Sequence, residues 1–348
     1  MKIRTRSAAA CLAAVLLVSV GFPLAAADVI GKISYLEGTV QILRDEDSLD
    51  ARIVKEGLAL ENFDLLKVGA DGELEVQVTS PSAPSSTLRV GPRTQFSIEI
   101  GKVGTKQQTT LDLVTGSVAM KVARLTGSQA MRVQTEAAVV GVRGTDFTVT
   151  APASGDLLIA CDEGEVECTD EKGVVLRALA GEAIEQRWGK RIARLDVAAG
   201  ALAQYRREWL DQRYAVLRSD PLKYVKLFAW LYDSRRRQFN RQFVDVMKSA
   251  KAGERTDLER LNVGALLRLK TTYRKLARLH AWLLELKAFC DEGGISGRIG
   301  LFRTSTSFFA SLESRRAVLE WQMGRVRWAT LQYVLRNAGM LPWSRADD

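Results

Sequence analysis

The sequence predicts an all-β domain followed by an all-α domain, and three features of the chain support this prediction. Apolar residues alternate with a period of two in short segments from Ile30 to about Ile192, as half-buried strands require. After Gly200 the apolar period becomes 3.6 residues, which is typical of amphipathic helices. The charge changes at the same boundary: residues 28–200 hold 19 Lys and Arg against 26 Asp and Glu, and residues 201–348 hold 28 against 15. A half with a net charge of −7 therefore precedes one of +13.

Residues 1–27 are predicted to be a secretory signal peptide. Lys2, Arg4 and Arg6 precede the apolar stretch "AAACLAAVLLVSVGF", and "AAAD" supplies small residues before a cleavage point ahead of Asp28. We therefore expect a periplasmic or otherwise exported chain that is soluble after cleavage. The alternative is an uncleaved anchor, for which the apolar stretch is short, since a spanning helix needs about 20 residues.

The β half is expected from residue 29 to 195 as a sandwich or roll of short strands. The segments with strand periodicity are separated by turns rich in Gly, Pro, Asp and Ser, and they are "KISYLEGTVQIL", "GELEVQVTS", "STLRVGPRTQFSIEI", "TTLDLVTGSVAMKV", "AVVGVRGTDFTVTA", "DLLIACDEGEVECTD" and "GVVLRALAGEAIEQRW". Gly38, Gly116, Gly164 and Gly181 each follow one apolar strand and open another. We interpret this weak repeat as a series of glycine-turned hairpins, since glycine adopts positive φ without steric cost.

The stretch "AAVVGVRGTDFTV" at residues 137–149 changes the phase of its apolar face. Val140 and Val142 have one parity, whereas Phe147 and Val149 have the other. One regular strand cannot do this, because side chains alternate strictly between its two faces. The sequence therefore predicts a bulge or sharp bend at Gly144.

We interpret Arg143, Gly144, Thr145 and Asp146 as a structural motif rather than an active site. Charges buried in a β core are costly unless they are paired. Arg143 and Asp146 are therefore expected to face each other across the bend, or to bond to nearby backbone groups.

The helical half, residues 201–348, is expected to form three or four long helices in an antiparallel helical bundle or a long hairpin. Asp220 is placed to cap a helix that begins at Pro221. Basic clusters such as "SRRRQF" at 234–239 have two interpretations. They are the solvated faces of amphipathic helices, or they bind an anionic polymer or a membrane surface.

Little in the sequence indicates an enzyme, and no catalytic, cofactor-binding or metal-binding residue is predicted. The one histidine, His280, lies in "ARLHAWLLE", where it is expected to be a packing or surface residue of a helix. No HExxH, GxSxG, Walker loop or paired CxxC motif occurs. We predict no nucleic-acid partner and no small-molecule substrate.

Four cysteines are too few for a disulfide scaffold, and Cys11 lies within the signal segment. Cys161 and Cys168 flank "DEGEVE", where Gly164 is expected to turn a hairpin. They form a candidate disulfide, and free thiols are the open alternative, because the register of such a hairpin does not place them directly opposite each other. Cys290 is expected to remain free and buried.

The β half resembles a FecR domain, the extracytoplasmic sensor domain named after a bacterial iron-uptake regulator. The resemblance covers about residues 31–192, roughly half of the mature chain. The segments that carry it are "TEAAVVGVRGTDFTV" (135–149), "LRVGPRTQFSI" (88–98), "LDLVTGSVAMKV" (111–122) and "CDEGEVEC" (161–168).

The resemblance implies an all-β periplasmic domain that binds partners and does not catalyse a reaction. In the regulators that name the family, a cytoplasmic segment holds a sigma factor, one helix crosses the membrane, and the sensor domain receives a signal from an outer-membrane transporter. Only seven residues, "MKIRTRS", precede the apolar segment here, so we expect no direct hold on a sigma factor.

The functional expectation is a non-enzymatic periplasmic protein that binds or scaffolds a protein partner in the cell envelope. The opposite charges of the two halves also permit contact between them, within or between molecules. One alternative is an envelope signalling component, a FecR-type transmembrane sensor if the signal segment is not cleaved. A weaker alternative is an enzyme that acts on envelope polysaccharide.

Overall fold

The computed structural model describes residues 29–44, 47–103, 106–123, 129–142, 144–198, 200–251, 263–292 and 305–337. The predicted signal peptide lies outside these residues. The described chain confirms the predicted architecture, with strands up to residue 195 and helices from residue 202.

The strands of the β domain are short, apart from the ninth. They are β1 (Val29–Glu37), β2 (Val40–Arg44), β3 (Asp47–Ser48), β4 (Ala59–Glu61), β5 (Leu65–Val68), β6 (Glu73–Val78), β7 (Ser86–Val90), β8 (Gln95–Val103), β9 (Lys106–Val122), β10 (Gln129–Gln134), β11 (Ala138–Val142), β12 (Asp146–Ala151), β13 (Leu157–Glu163), β14 (Glu165–Asp170), β15 (Val175–Leu179), β16 (Ala183–Gln186) and β17 (Ala193–Leu195).

The strands form two sheets that share β9. Sheet 1 has the order β4-β1-β6-β7-β9-β12-β13-β16-β17. Sheet 2 has the order β3-β2-β5-β8-β9-β10-β11-β14-β15. All of these pairs are antiparallel except β9 with β10. The inward side chains of both sheets make one apolar core, as in a β-sandwich.

The long strand β9 joins the sheets because it bends at Gly116. Its first part pairs with β8 and β10 in sheet 2, and its last part pairs with β7 and β12 in sheet 1. Gly116 has φ +97°, and a Cβ atom there would lie 2.2 Å from Oγ1 of Thr94. The position therefore requires glycine both for its backbone conformation and for space.

The predicted hairpins at the repeated glycines are wrong. Gly38, Gly116, Gly164 and Gly181 all have positive φ, but each lies where the chain passes from one sheet to the other. Gly116 lies within β9, and the described strands on either side of the other three glycines pair with other strands and not with one another. A sharp turn between strands is common to a hairpin and to a corner of a sandwich, so the glycine pattern did not distinguish them.

The described residues after the β domain form four helices, namely α1 (Leu202–Ser219), α2 (Pro221–Lys251), α3 (Val263–Glu292) and α4 (Ser305–Asn337). The predicted cap of α2 is present, since the Lys223 amide donates to Asp220 Oδ1 at 3.1 Å. α2 and α3 run antiparallel, because the ring of Phe228 contacts Trp282 and that of Phe239 contacts Tyr273. α2 and α4 run parallel, with ion pair Asp233–Arg315 followed by hydrogen bond Asn240–Gln322.

The helices cover both outer faces of the sandwich. Leu202 and Trp209 of α1 pack on Leu158 and Ala160, which point away from the core on β13 of sheet 1. This contact explains why β13 is buried along both of its faces over Leu157–Cys161. On the opposite side, α3 lies against the part of β9 that belongs to sheet 2.

Candidate functional site

The predicted motif at residues 143–146 lies where the chain passes from sheet 2 to sheet 1. β11 belongs to sheet 2, β12 belongs to sheet 1, and Gly144 between them has φ +66°. The predicted bend is therefore present. It also explains the change of phase, since the apolar residues before and after it face the same core from opposite sheets.

The other residues of the motif have structural surroundings. Thr145 is buried, and its carbonyl accepts a hydrogen bond from the Val122 amide at 3.0 Å. A Cβ atom at Gly164 would lie 2.7 Å from Thr145 Cγ2, so two corners of the sandwich pack directly on each other. Asp146 begins β12 opposite Lys121. Arg143 lies outside the described residues, so its pairing with Asp146 stays a prediction.

Cys161 and Cys168 are both buried in the core as free thiols. They do not flank a hairpin, because Cys161 lies on β13 of sheet 1 and Cys168 on β14 of sheet 2. Burial raises the pKa of Cys161 to about 11 and that of Cys168 to about 12. Oxidation of the pair in an exported protein stays a prediction. Cys290 is buried and free, as expected.

The interface between the β domain and α3 holds a connected group of ion pairs, and we take it as the candidate functional site. Its centre is Arg278, whose side chain is 3% exposed. The guanidinium bonds to Asp112 of β9, and Nη1 lies 3.3 Å from Glu136 Oε2 in the turn between β10 and β11. Burial alone would lower the pKa of Arg278, but the two carboxylates outweigh it and raise the pKa above its ordinary value.

Further cations surround the same carboxylates. Arg235 of α2 lies 2.9 Å from Glu136, and Lys275 lies 3.9 Å from it. Lys275 also pairs with Glu171 at 2.8 Å, in the turn between β14 and β15. Arg274 pairs with Glu99 of β8. The charges of this group are thus compensated across the interface, which is the condition under which ion pairs are tolerated away from water.

Aromatic residues form the apolar part of the interface. The Trp282 indole donates from Nε1 to the Val114 carbonyl of β9 at 2.9 Å. Trp188, in the turn between β16 and β17, meets the rings of Phe228 and Trp282 edge-on. The turn is held by the Trp188 amide, which donates to Asp156 Oδ1 at 2.7 Å. A tryptophan of the β domain is therefore inserted between α2 and α3.

Helix α1 is attached to sheet 1 by polar contacts as well. Arg206 donates to Thr148 Oγ1 at 2.8 Å and pairs with Asp162. The Trp209 indole donates to Glu185 Oε1 at 2.6 Å. Contact between the oppositely charged halves, which the sequence permitted within or between molecules, is thus present within the chain.

His280 is buried, as the packing interpretation predicted. Burial, together with the charges of Arg316 and Lys67, lowers its pKa to about 3. Among the described residues, no three His, Cys, Asp or Glu side chains come together in a way that could hold a metal ion. No helix in the described ranges is long and apolar enough to cross a membrane.

Sequence reasoning missed Asp112 and Glu136 as residues of a site. Asp112 stands in "LDLV", where it alternates with core residues and points outward, and Glu136 follows Thr135 in the β10–β11 turn. One signal could have indicated these residues. Isolated carboxylates stand within or next to apolar strands of the β half, and the helical half carries a strong opposite charge that could pair with them.

The fold and this interface define the class of the protein, a β-sandwich domain with a helical half bound to its outer faces. The model of the FecR protein family matches residues 64–167, which confirms the resemblance over this part of the β domain. The match includes β9, the turn with Glu136 and the motif at 143–146.

Two crystal structures of a candidate anti-sigma factor from Parabacteroides distasonis ATCC 8503, at 2.50 and 1.65 Å resolution, are similar to part of this chain. Each shows 21% identity and a TM-score of 0.33, and each covers 40% of this chain. This chain spans 63% of the length of those structures. A comparison with curated proteins found no match.

Proposed function

We propose that the protein is a non-enzymatic signalling component of the bacterial cell envelope, in which the FecR domain receives a signal from a protein partner. The observation that carries this proposal is the FecR match over residues 64–167. The domain is named after a regulator, so the match favours signalling over the passive binding or scaffolding that was our first expectation. Exported location and the signal peptide are part of the proposal.

The interdomain interface is where such a signal would act. A regulatory protein needs two states that a partner binds with different affinity. Arg278, Asp112 and Glu136 hold the helical half on strands of the FecR domain itself. A partner that competes for both carboxylates would leave Arg278 without a partner of opposite charge, which is costly in a buried site. The attachment of the helical half is therefore the element that a partner can change.

Scaffolding remains the second candidate, because the helical half retains exposed basic residues. Arg237 and Arg241 of α2 are exposed and suit an anionic polymer or a membrane surface. The cations of α3 are less available for that purpose, since Arg274, Lys275 and Arg278 already pair with the β domain.

A comparison of transcripts tests the proposal. We expect that deletion of the gene in its natural host changes a limited set of transcripts, and that the wild-type gene restores them. The variant Arg278→Met, which weakens the interface, is expected to fail in this restoration. Its control is Arg177→Met, which removes an arginine paired with Glu165 and Glu167 on the exposed strand β15.

The alternatives give other outcomes. Scaffolding predicts partners cross-linked to the protein in the envelope but no change in transcripts on deletion. Mass spectrometry of the mature amino terminus separates a secreted protein, which begins at Asp28, from an anchored sensor. A glycan-cleaving activity abolished by one acidic substitution would contradict the non-enzymatic proposal.

A further inference from the structure

One end of the interdomain interface buries a carboxyl group that has little compensation. Glu285 of α3 follows Trp282 by three residues and lies beside the Gly116 corner of β9. Its Oε2 accepts one hydrogen bond, from Thr115 Oγ1 at 3.0 Å. Its Oε1 is buried and has no hydrogen-bond partner within the described ranges. An ionised carboxylate usually needs two or more donors in such surroundings, so the protonated form is favoured here.

The charged groups around this carboxyl group are mostly engaged with one another. Arg93, in the loop between β7 and β8, pairs with Glu292 of α3 at 3.2 Å, and Arg218 of α1 lies 4.0 Å from the same carboxylate. Both guanidinium groups also stack on the Phe289 ring, at 5.0 and 5.3 Å from its centre. Tyr214 of α1 also lies close enough to interact electrostatically, and its hydroxyl is buried without a hydrogen-bond partner among the described residues.

The remaining charges along the two main elements are already paired. On β9 the nearest is Asp112, which is bound to Arg278 of α3, and on α3 the nearest cation, Lys287, pairs with Asp291 at 2.5 Å. Among the described residues, therefore, no cation forms an ion pair with Glu285. Burial raises the pKa of Glu285 to about 7, although the Thr115 hydroxyl and the charge of Arg93 act to lower it.

We propose that Glu285 makes the attachment of the helical half to the FecR domain pH-dependent, with tight attachment while its carboxyl group is protonated and weaker attachment once it is ionised. This inference rests on the geometry of the interface and not on the proposed signalling role.

The direction follows from proton linkage. The attached state binds the proton more tightly than a detached state, in which Glu285 ionises near the ordinary value of 4.5. The attachment is therefore strongest at acidic pH and weakens as the pH rises from about 4.5 to about 7. Above that range both states are ionised, and this group contributes no further change.

Hydrogen exchange on the intact protein tests the proposal. Protection factors of backbone amides in α3 would be compared with those of β12 and β13 in the same molecule, at about pH 5.5 and about pH 8. The pKa of Glu285 is about 7 in the attached state and near 4.5 in the detached state. The ratio of attached to detached wild-type molecules should therefore fall by up to about 30-fold when the pH rises from about 5.5 to about 8. Glu285→Gln keeps the shape of the side chain and cannot ionise. In this variant the ratio of attached to detached molecules should change less than about twofold over the same pH range.

Two further variants separate this role from a general loss of stability. Thr115→Val removes the hydrogen bond that favours the ionised form, so the pH dependence should move to higher pH. Glu292→Gln neutralises an exposed carboxylate of the same cluster and should keep the wild-type pH dependence. The proposal is overturned if Glu285→Gln follows the wild-type pH dependence, or if the wild-type protein shows none.

Discussion

Replacement of Arg278 by Met removes the central cation of the interdomain interface and keeps most of the side-chain volume. Arg278 is 3% exposed, and the side chains of its partners Asp112 and Glu136 are 13% and 6% exposed. Removal of one partner from a buried ion pair costs about 3–5 kcal/mol, because it leaves an uncompensated buried charge.

The structure places the expected cost at the lower end of that range. Glu136 would keep Arg235 at 2.9 Å and Lys275 at 3.9 Å, and Asp112 would keep Arg274 at 3.9 Å. We therefore expect Arg278→Met to lower the free energy of unfolding of the helical half by about 3 kcal/mol. This free energy can be measured by urea denaturation monitored by far-UV circular dichroism, because the signal reports mainly on the helices.

Two comparisons make the measurement specific to the interface. Arg177→Met removes an exposed ion-paired arginine from β15 of the β domain, away from the interface, and should change the free energy of unfolding by less than about 0.5 kcal/mol. Addition of Asp112→Asn to Arg278→Met should recover part of the loss, because it neutralises the carboxylate left behind. A loss in the free energy of unfolding that is as small for Arg278→Met as for Arg177→Met would refute this explanation.

Three further predictions concern the scaffold. Gly116→Ala should destabilise the β domain by about 3 kcal/mol or more, because the backbone has φ +97° there and the new Cβ atom would lie 2.2 Å from Thr94 Oγ1. A melting temperature close to that of the wild type would contradict this. Cys161 and Cys168, whose pKa values are about 11 and about 12, should resist thiol reagents at neutral pH in the reduced native protein and react fully in denaturant; rapid native labelling would show that they are not buried. Trp282→Phe keeps an aromatic ring but loses the indole donor to β9 and some buried volume. It should lower the free energy of unfolding by about 1–3 kcal/mol in urea denaturation, and an unchanged value would contradict this.

Features that depend on neighbours in sequence could be predicted. The change of period near Gly200, the bend at Gly144 and the cap at Asp220 all follow from the alternation of side chains or from the chemistry of one short segment. The burial of Cys290 follows from the apolar residues around it in the helix, and local chemistry was sufficient in each of these cases. For His280 the same chemistry left a packing position and a surface position open.

Features that depend on pairing could not be predicted. The turns at Gly38, Gly164 and Gly181 have the composition of hairpins, and only the partners of the flanking strands show that they are corners between sheets. These partners are chosen by the packing of the whole sandwich, which a single sequence does not specify.

The interdomain site was missed for the same reason. Arg278 lies 166 residues from Asp112 and 142 residues from Glu136 in the chain. The net charges of the two halves predicted attraction between them, but not which carboxylates would be buried. Glu285 is harder still to find, since its surroundings are contributed by β9, α1 and the loop that holds Arg93.

The central claim is that α3 is bound to the outer face of the β domain, and zero-length carbodiimide cross-linking of the intact protein tests it most directly. This reagent joins a lysine to a carboxylate only when the two are in contact. Lys275 and Glu171 are 2.8 Å apart and partly exposed, so mass spectrometry should find the Lys275–Glu171 cross-link in the monomer, and Lys275→Arg should abolish it. Efficient cross-linking of the helices to one another, with no cross-link from α3 to the β domain, would contradict the account.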